Sequence, residues 1–305
     1  APLVLETKIP LGDVSGRIDH FAADLGRQRL FVAELGNNSV GVIDLKTRKV
    51  LRTITGLKEP QGVGYVPSTD TLYVADAGDG MVHLFQGADL SPGESIELGV
   101  DADNIRVDMQ AGRVFIGYGN GALAVIDPSS RARVANIPLK AHPEGFQFDR
   151  ASGRIFVNVP DAEQIAVIDI ASGRQAATWP LRDARANFPM AFDNEAKQVV
   201  VAFRKPAELM VFGAGDGNIG AKLDICGDAD DVFVDSKRHR LYASCGEGVI
   251  DVLEKRGTAY ARAGRVPTVS GARTSLLVPE MDRLFVAVRA TSSEPAAVWV
   301  FRPAP

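Results

Sequence analysis

The chain has 305 residues, 46% of them hydrophobic and 24% charged, and a formal net charge of −4. That composition suffices for a large core and is unlike a disordered chain. The charge supplies no global field to draw in nucleic acid or an anionic membrane, and no run nears the roughly eighteen apolar residues of a spanning helix.

In chain order, Leu3 to Gly12 reads as a lone strand with nothing beside it to pair with. One pattern then repeats to the C-terminus. Leu30-Phe31-Val32, Leu72-Tyr73-Val74, Val114-Phe115-Ile116, Ile155-Phe156-Val157, Val199-Val200-Val201, Leu241-Tyr242-Ala243 and Leu284-Phe285-Val286 recur with central residues 42, 42, 41, 44, 42 and 43 apart. A fixed repeat of this length sets the architecture before local structure is considered. Seven residues before each centre stands Asp24, Val66, Asp108, Asp149, Asp193, Asp235 or Val278, closing a short alternating strand. Turn residues such as Arg150-Ala151-Ser152-Gly153 join the two strands into a hairpin. A third strand follows at Val40 to Ile43, Val82 to Phe85, Leu123 to Ile126, Ile165 to Ile168, Leu209 to Phe212, Val249 to Leu253 and Val298 to Phe301. A weaker fourth strand, such as Val50 to Ile54 or Ala176 to Trp179, has the look of a half-covered outer strand.

Four strands per unit make a propeller blade. The seventh unit stops after its third strand, and Leu3 to Gly12 resembles the fourth strand Ser95 to Gly99. The expectation is an all-β, seven-bladed β-propeller of four-stranded blades, one domain over residues 1–305, with the N-terminal strand completing the last blade. That closure hides an open sheet edge.

The units Pro60-Gln61-Gly62-Val63 through Leu72-Tyr73-Val74-Ala75, and Pro143-Glu144-Gly145-Phe146 through Ile155-Phe156-Val157-Asn158, resemble the YVTN family of β-propeller repeats, and the likeness spans the chain. That family includes surface-layer proteins, periplasmic binding proteins of the YncE type and relatives of propeller subunits of redox enzymes. The resemblance therefore implies the fold and leaves the function open. His20, Asn104, Asp231 and Thr274 depart from the glycine found at Gly62 and Gly145.

In a propeller the segment leading into each innermost strand opens at one end of the central channel, so equivalent positions converge there. These lead-in segments are Arg17-Ile18-Asp19-His20, Glu59-Pro60-Gln61-Gly62, Asp101-Ala102-Asp103-Asn104, His142-Pro143-Glu144-Gly145, Ala186-Asn187-Phe188-Pro189, Asp228-Ala229-Asp230-Asp231 and Gly271-Ala272-Arg273-Thr274. They are strongly polar, and the strands turn apolar directly afterwards. The ligand-binding candidates are Arg17, Asp19, His20, Gln61, Asp103, Asn104, Arg106, His142, Glu144, Asn187, Asp230, Asp231 and Arg273. The bland alternative is that these groups are solvated or cap neighbouring backbone. Asn187-Phe188-Pro189 differs from its counterparts, so blade five is the one least certain to turn inward.

Carboxylates crowded at one rim need neutralising. Arg17, Arg106 and Arg273 could do so through bidentate pairs, which is the favoured expectation. The alternative is a divalent ion such as calcium on Asp103, Asn104, Glu144 and Asp230, although no contiguous calcium-loop pattern is present. No other cofactor is expected. His83, on a third strand, and His239, in a hairpin turn, are assigned surface or packing roles.

Cys226 precedes the lead-in of blade six and Cys245 ends the strand pairing with that blade's inner strand, so a disulfide between them is expected. Without a C-x-x-C spacing, it is not a dithiol redox centre. No G-x-S-x-G, H-E-x-x-H, P-loop or strand-linked G-x-G-x-x-G occurs; Gly119-Asn120-Gly121 and Gly246-Glu247-Gly248 read as hairpin turns. Trp179 and Trp299, placed on outer strands, read as packing residues.

The leading expectation is an exported, periplasmic or secreted, monomeric scaffold that binds a small ligand or protein partner at the channel rim, with no nucleic-acid partner. The start at Ala1-Pro2 is expected to follow removal of a leader. The alternative is a metal-dependent lactonase-type or lyase-type enzyme at the same channel end, with His20 or His142 as base. An accessory role in a periplasmic redox complex is a third option.

Overall fold

The computed structural model describes residues 1–305. Its strands form seven antiparallel four-stranded sheets, the blade topology of a β-propeller. Blade one is Phe21–Asp24, Arg29–Glu34, Ser39–Asp44 and Lys49–Ile54; blade two is Pro60–Val66, Thr71–Asp76, Met81–Gln86 and Ser91–Glu97. Blade three is Ala102–Asp108, Arg113–Tyr118, Ala122–Asp127 and Ala132–Pro138; blade four is Phe146–Asp149, Arg154–Val159, Gln164–Asp169 and Arg174–Pro180. Blade five is Arg185–Asp193, Gln198–Lys205, Ala207–Gly213 and Ile219–Asp224; blade six is Ala229–Asp235, Arg240–Cys245, Val249–Arg256 and Ala259–Pro267. Blade seven is Ser275–Val278, Arg283–Val288 and Ala297–Pro303, completed by the first strand, Leu3–Pro10, on its outer edge. No helix is long and apolar enough to cross a membrane.

The chain forms two compact units. One comprises Ala1–Lys8, Glu144–Val288 and Val298–Pro305, and the other Ile9–Pro143 and Arg289–Ala297. Blades one to three lie in the second unit, blades four to six in the first. Within each, apolar side chains of adjacent blades merge into shared cores. Phe31, Val42, Val63, Tyr65, Leu72 and Phe85 join blades one and two, and Phe156, Trp179, Met190, Phe203 and Phe212 join blades four and five.

Burial grades outward as the sequence pattern requires. The second strand of blade one is buried along its length, whereas its fourth strand is mostly exposed. A register shift recurs where the third strand meets the fourth, at Val42/Ile43, Val125/Ile126, Val167/Ile168, Val211/Phe212 and Val252/Leu253. Such bulges add local twist, which turns the outer strand relative to the inner ones. Trp179 stacks on Phe212 with ring centroids 6.0 Å apart, on a fourth strand as anticipated. Trp299 is a correction: it lies on the third strand of blade seven, with the Lys8 ammonium of the covering strand 4.1 Å from its ring. The expected N-terminal strand covers it, so Trp299 is one strand inside the outer edge.

The recurring aspartates have a local cause. Asp24, Asp108, Asp193 and Asp235 each accept a hydrogen bond from a backbone N–H two or three residues on, closing the inner hairpin as an Asx turn. Blades two and seven, with valine there, use proline-led turns, Pro67–Thr69 and Pro279–Met281, ending in left-handed Asp70 and Asp282. Each of these two aspartates receives a bidentate arginine from the blade before: Arg27 on Asp70 at 2.6 and 2.7 Å, Arg238 on Asp282 at 2.7 Å twice. The arginine bonds hold both carboxyls down to about 2. The aspartates of the predicted Ile-Asp turns behave alike: Asp44, Asp127 and Asp169 cap Lys46, Ser129 and Ser172.

Candidate functional site

The lead-in segments are shaped by close backbone approach between neighbouring blades. A side chain at Gly62 would put its Cβ 1.9 Å from the Asp103 carbonyl oxygen, and one at Gly145 would lie 2.7 Å from that of Phe188. Glycine is therefore required in blades two and four. In blades one, three, six and seven the same position carries His20, Asn104, Asp231 or Thr274, and the last three are buried.

The lead-ins of blades one to three, with His142 from the lead-in of blade four, form one hydrogen-bonded row. Asp19, only 1% exposed, accepts from Arg17 Nη2 at 2.8 Å and lies 3.2 Å from His20 Nε2. The His20 backbone N–H donates to the Gln61 carbonyl at 3.3 Å. The Gln61 amide nitrogen, oriented as its surroundings demand, donates to both carboxylate oxygens of Asp103 at 2.8 and 2.9 Å. His142 Nε2 lies 3.5 Å from the buried Asp103, while its Nδ1 is bonded to the Gly119 carbonyl at 2.7 Å and lies 3.5 Å from Asp101. Burial works against the charged imidazole. The bonds to Asp103 and the Gly119 carbonyl, with the charges of Asp101 and Asp103, overcome it and raise His142 to about 9. Asp101 is raised from the usual carboxylate range because burial outweighs the attraction of His142. Asn104 is buried and bonds weakly to Asp103 at 3.4 Å. Arg106 donates to the Ile105 carbonyl at 3.0 Å.

In blades five to seven the lead-ins are braced by arginine. Arg204 Nη2 lies 2.8 Å from Asp230 and its Nε 3.2 Å from Asp228; Arg273 Nη1 lies 2.9 Å from Asp228 and its Nε 3.6 Å from Asp230. The Phe188 ring covers the Arg204 guanidinium at 4.0 Å, a cation–π contact that favours a fixed orientation. Asp231 accepts from the Ser275 N–H at 2.8 Å, and Ser244 is bonded to Ser275 at 2.7 Å. Asn187 is fully buried, and its Nδ2 donates to Asn158 Oδ1 at 2.9 Å and to the Gln164 carbonyl at 3.2 Å. Blade five does depart from the pattern: its inner strand starts early, pairing Arg185 with Lys205, while its register shift between Asn187 and Met190 has counterparts in blades two, three and six. Glu144, half-buried, donates its backbone N–H to Asn158. The Cys226–Cys245 disulfide is present, with Cα atoms 5.9 Å apart, and it fixes the chain immediately before Asp228.

Thus Arg17 and Arg273 take carboxylates as anticipated. Sequence reasoning missed Arg204, which ends an ordinary strand, and Phe188, whose ring serves that arginine. It also missed the partner of His83: the ring Nε2 lies 3.2 Å from buried Asp76.

No protein-family model and no curated protein sequence matches the chain. Solved structures are similar over nearly its whole length. A chain of the hydrazine synthase of Kuenenia stuttgartiensis has a TM-score of 0.83 at 18% identity, covering 96% of this chain and 97% of that one. The WD40 repeats of RRP9 give 0.83 at 9% identity, covering 98% and 97%. A chain of a mitotic checkpoint complex gives 0.77 at 12%, covering 97% and 95%. At these identities the likeness establishes the seven-bladed β-propeller fold, and a fold hosts many functions.

Proposed function

We propose that the protein is an exported, YVTN-type scaffold that binds a small ligand or protein segment bearing basic groups at its lead-in segments. The carrying observation is the row Arg17, Asp19, His20, Gln61, Asp103, His142, whose inner carboxylates are buried while the tips of Arg17 and His142 reach solvent. Buried hydrogen-bonded bases hold the exposed groups in fixed orientation, which lowers the ordering cost of binding. Glu59 and Asp101 gather with Asp103 at one end of the row, so complementarity there favours a basic partner. The disulfide supports export, since such bonds persist in oxidising compartments.

The test is a thermal-shift screen of the full chain against basic peptides and polyamines, with anionic counterparts as controls. Ligands of this class should raise the Tm of the wild type, lose that effect in Asp101→Asn and keep it in Arg17→Ala, which removes a like charge. Stabilisation by anionic compounds alone would sink the reading, and fractionation of cells producing the protein checks export separately.

A further inference from the structure

Blades one, two and six each bury a carboxylate on or beside the third strand, and each balances it differently. In blade six Asp251 accepts from the Cys226 N–H at 2.7 Å and is flanked by Arg262 and Arg265 at 3.3 and 2.8 Å. In blade one Glu34 lies over Gly41 with a single hydroxyl partner, Ser39, at 2.9 Å. In blade two Asp76, with no exposed surface, accepts from the Lys58 N–H at 2.8 Å through Oδ2, while its Oδ1 is buried with no hydrogen-bond partner. An orphaned carboxylate oxygen costs about 1–3 kcal/mol unless something fills its place.

What faces Asp76 differs in kind from the other blades. His83 stands opposite Val74; the matching third-strand positions hold Gly41, Ala124, Ala166, Met210 and Asp251. The turn just before it brings Asp79, and ligand atoms of Asp76, Asp79 and His83 lie within 4.8 Å of one another. His83 Nδ1 is 3.0 Å from Ser95 Oγ on the neighbouring strand, which leaves Nε2 directed at Asp76. This outer bond is the arrangement that orients metal-ligating histidines. The 3.2 Å between Nε2 and Asp76 Oδ2 is close to the ligand separation of about 3.3 Å in a tetrahedron with bonds near 2.0 Å. Asp79 and His83 retain side-chain exposures of 25% and 26%, so an ion and its water can reach them. The Lys58 ammonium, 3.6 Å from Asp79 Oδ2 and 69% exposed, is free to swing into solvent.

We propose that Asp76, Asp79 and His83 form a site for a borderline divalent ion of the zinc type, with Ser95 orienting the histidine. One nitrogen and two carboxylate oxygens, with room for water, suit such an ion better than calcium, which takes oxygen ligands. The site is separate from the lead-in row, and its ion would tie the second and third strands of blade two to the Lys58 segment.

The experiment is equilibrium dialysis of the metal-stripped full chain against Zn²⁺, Mn²⁺ and Ca²⁺ singly, with elemental analysis, and thermal unfolding alongside. One equivalent of zinc should bind, and the Tm should rise by about 5 °C at a hundredfold excess over Kd. His83→Gln and Asp79→Asn, both partly exposed, should each lose at least about tenfold in affinity, and Ser95→Ala about tenfold. His239→Gln, at a hairpin turn outside both groups, should bind as the wild type does. Absence of bound ion, binding of calcium alone, or zinc binding unchanged in both His83→Gln and Asp79→Asn would overturn the proposal; should either variant misfold, Ser95→Ala and the dialysis of the wild type decide it.

Discussion

The lead-in carboxylates of blades one to three and those of blades five to seven meet the same problem with different cations. Asp103 faces His142, whereas Asp228 and Asp230 lie between Arg204 and Arg273. Arginine remains charged over the whole accessible pH range, and imidazole does not. One row is thus a fixed electrostatic brace, and the other is a surface whose charge follows pH. The same contrast separates Asp251, with its two arginines, from Glu34, which has none; burial outweighs the Ser39 bond and pushes Glu34 up to about 7.

The largest way to break the contrast is steric. Gly62→Ala drives a methyl group into the Asp103 carbonyl and should cost more than about 4 kcal/mol, read as loss of cooperative unfolding or a sharply lower denaturant midpoint. Removing the cross-link beside the arginine row, by Cys226→Ala with Cys245→Ala, should cost about 3 kcal/mol for a bridge spanning 19 residues. Reduction of the wild type should lower stability by a similar amount.

Two further predictions sharpen the contrast through pH. Because folding raises the Glu34 carboxyl, its contribution is fully present below its unfolded value of 4.5 and is lost as pH rises through about 7. Glu34→Gln should therefore be about 2–3 kcal/mol more stable than wild type at pH 8 and near parity at pH 4. His142 is also raised, so its contribution is fully present below 6.5 and disappears as pH climbs through about 9. His142→Gln should cost about 1–2 kcal/mol at pH 6 and almost nothing above pH 9, compared by urea unfolding at both values. Arg273→Gln should show no such difference between pH 6 and pH 9, because a guanidinium stays charged at both.

Strand order was legible because each blade repeats its own hydrophobic alternation, and the closing strand was legible because blade seven lacked one. The disulfide followed from the antiparallel pairing of Ala229 with Cys245. Ion pairing was less readable. Arg204 reaches Asp230 from the second strand of the preceding blade, a distance set by blade-to-blade packing that a single repeat does not encode. Asn187, in the lead-in segment that already differed from its counterparts, is bonded to Asn158 of the neighbouring blade. His83 was the nearest miss: Asp76, Asp79 and His83 lie within eight residues, and the crossing of strand and turn that unites them was already visible in the hairpin pattern.

The central claim is that the row in blades one to three is a preorganised, charged surface at neutral pH. An NMR titration of the four histidine rings, with assignment by His142→Gln, tests it directly. The account predicts that His142 titrates near 9 and falls toward the ordinary histidine value in Asp103→Asn. Titration of wild-type His142 at or below 6.5, unchanged in that variant, would contradict it.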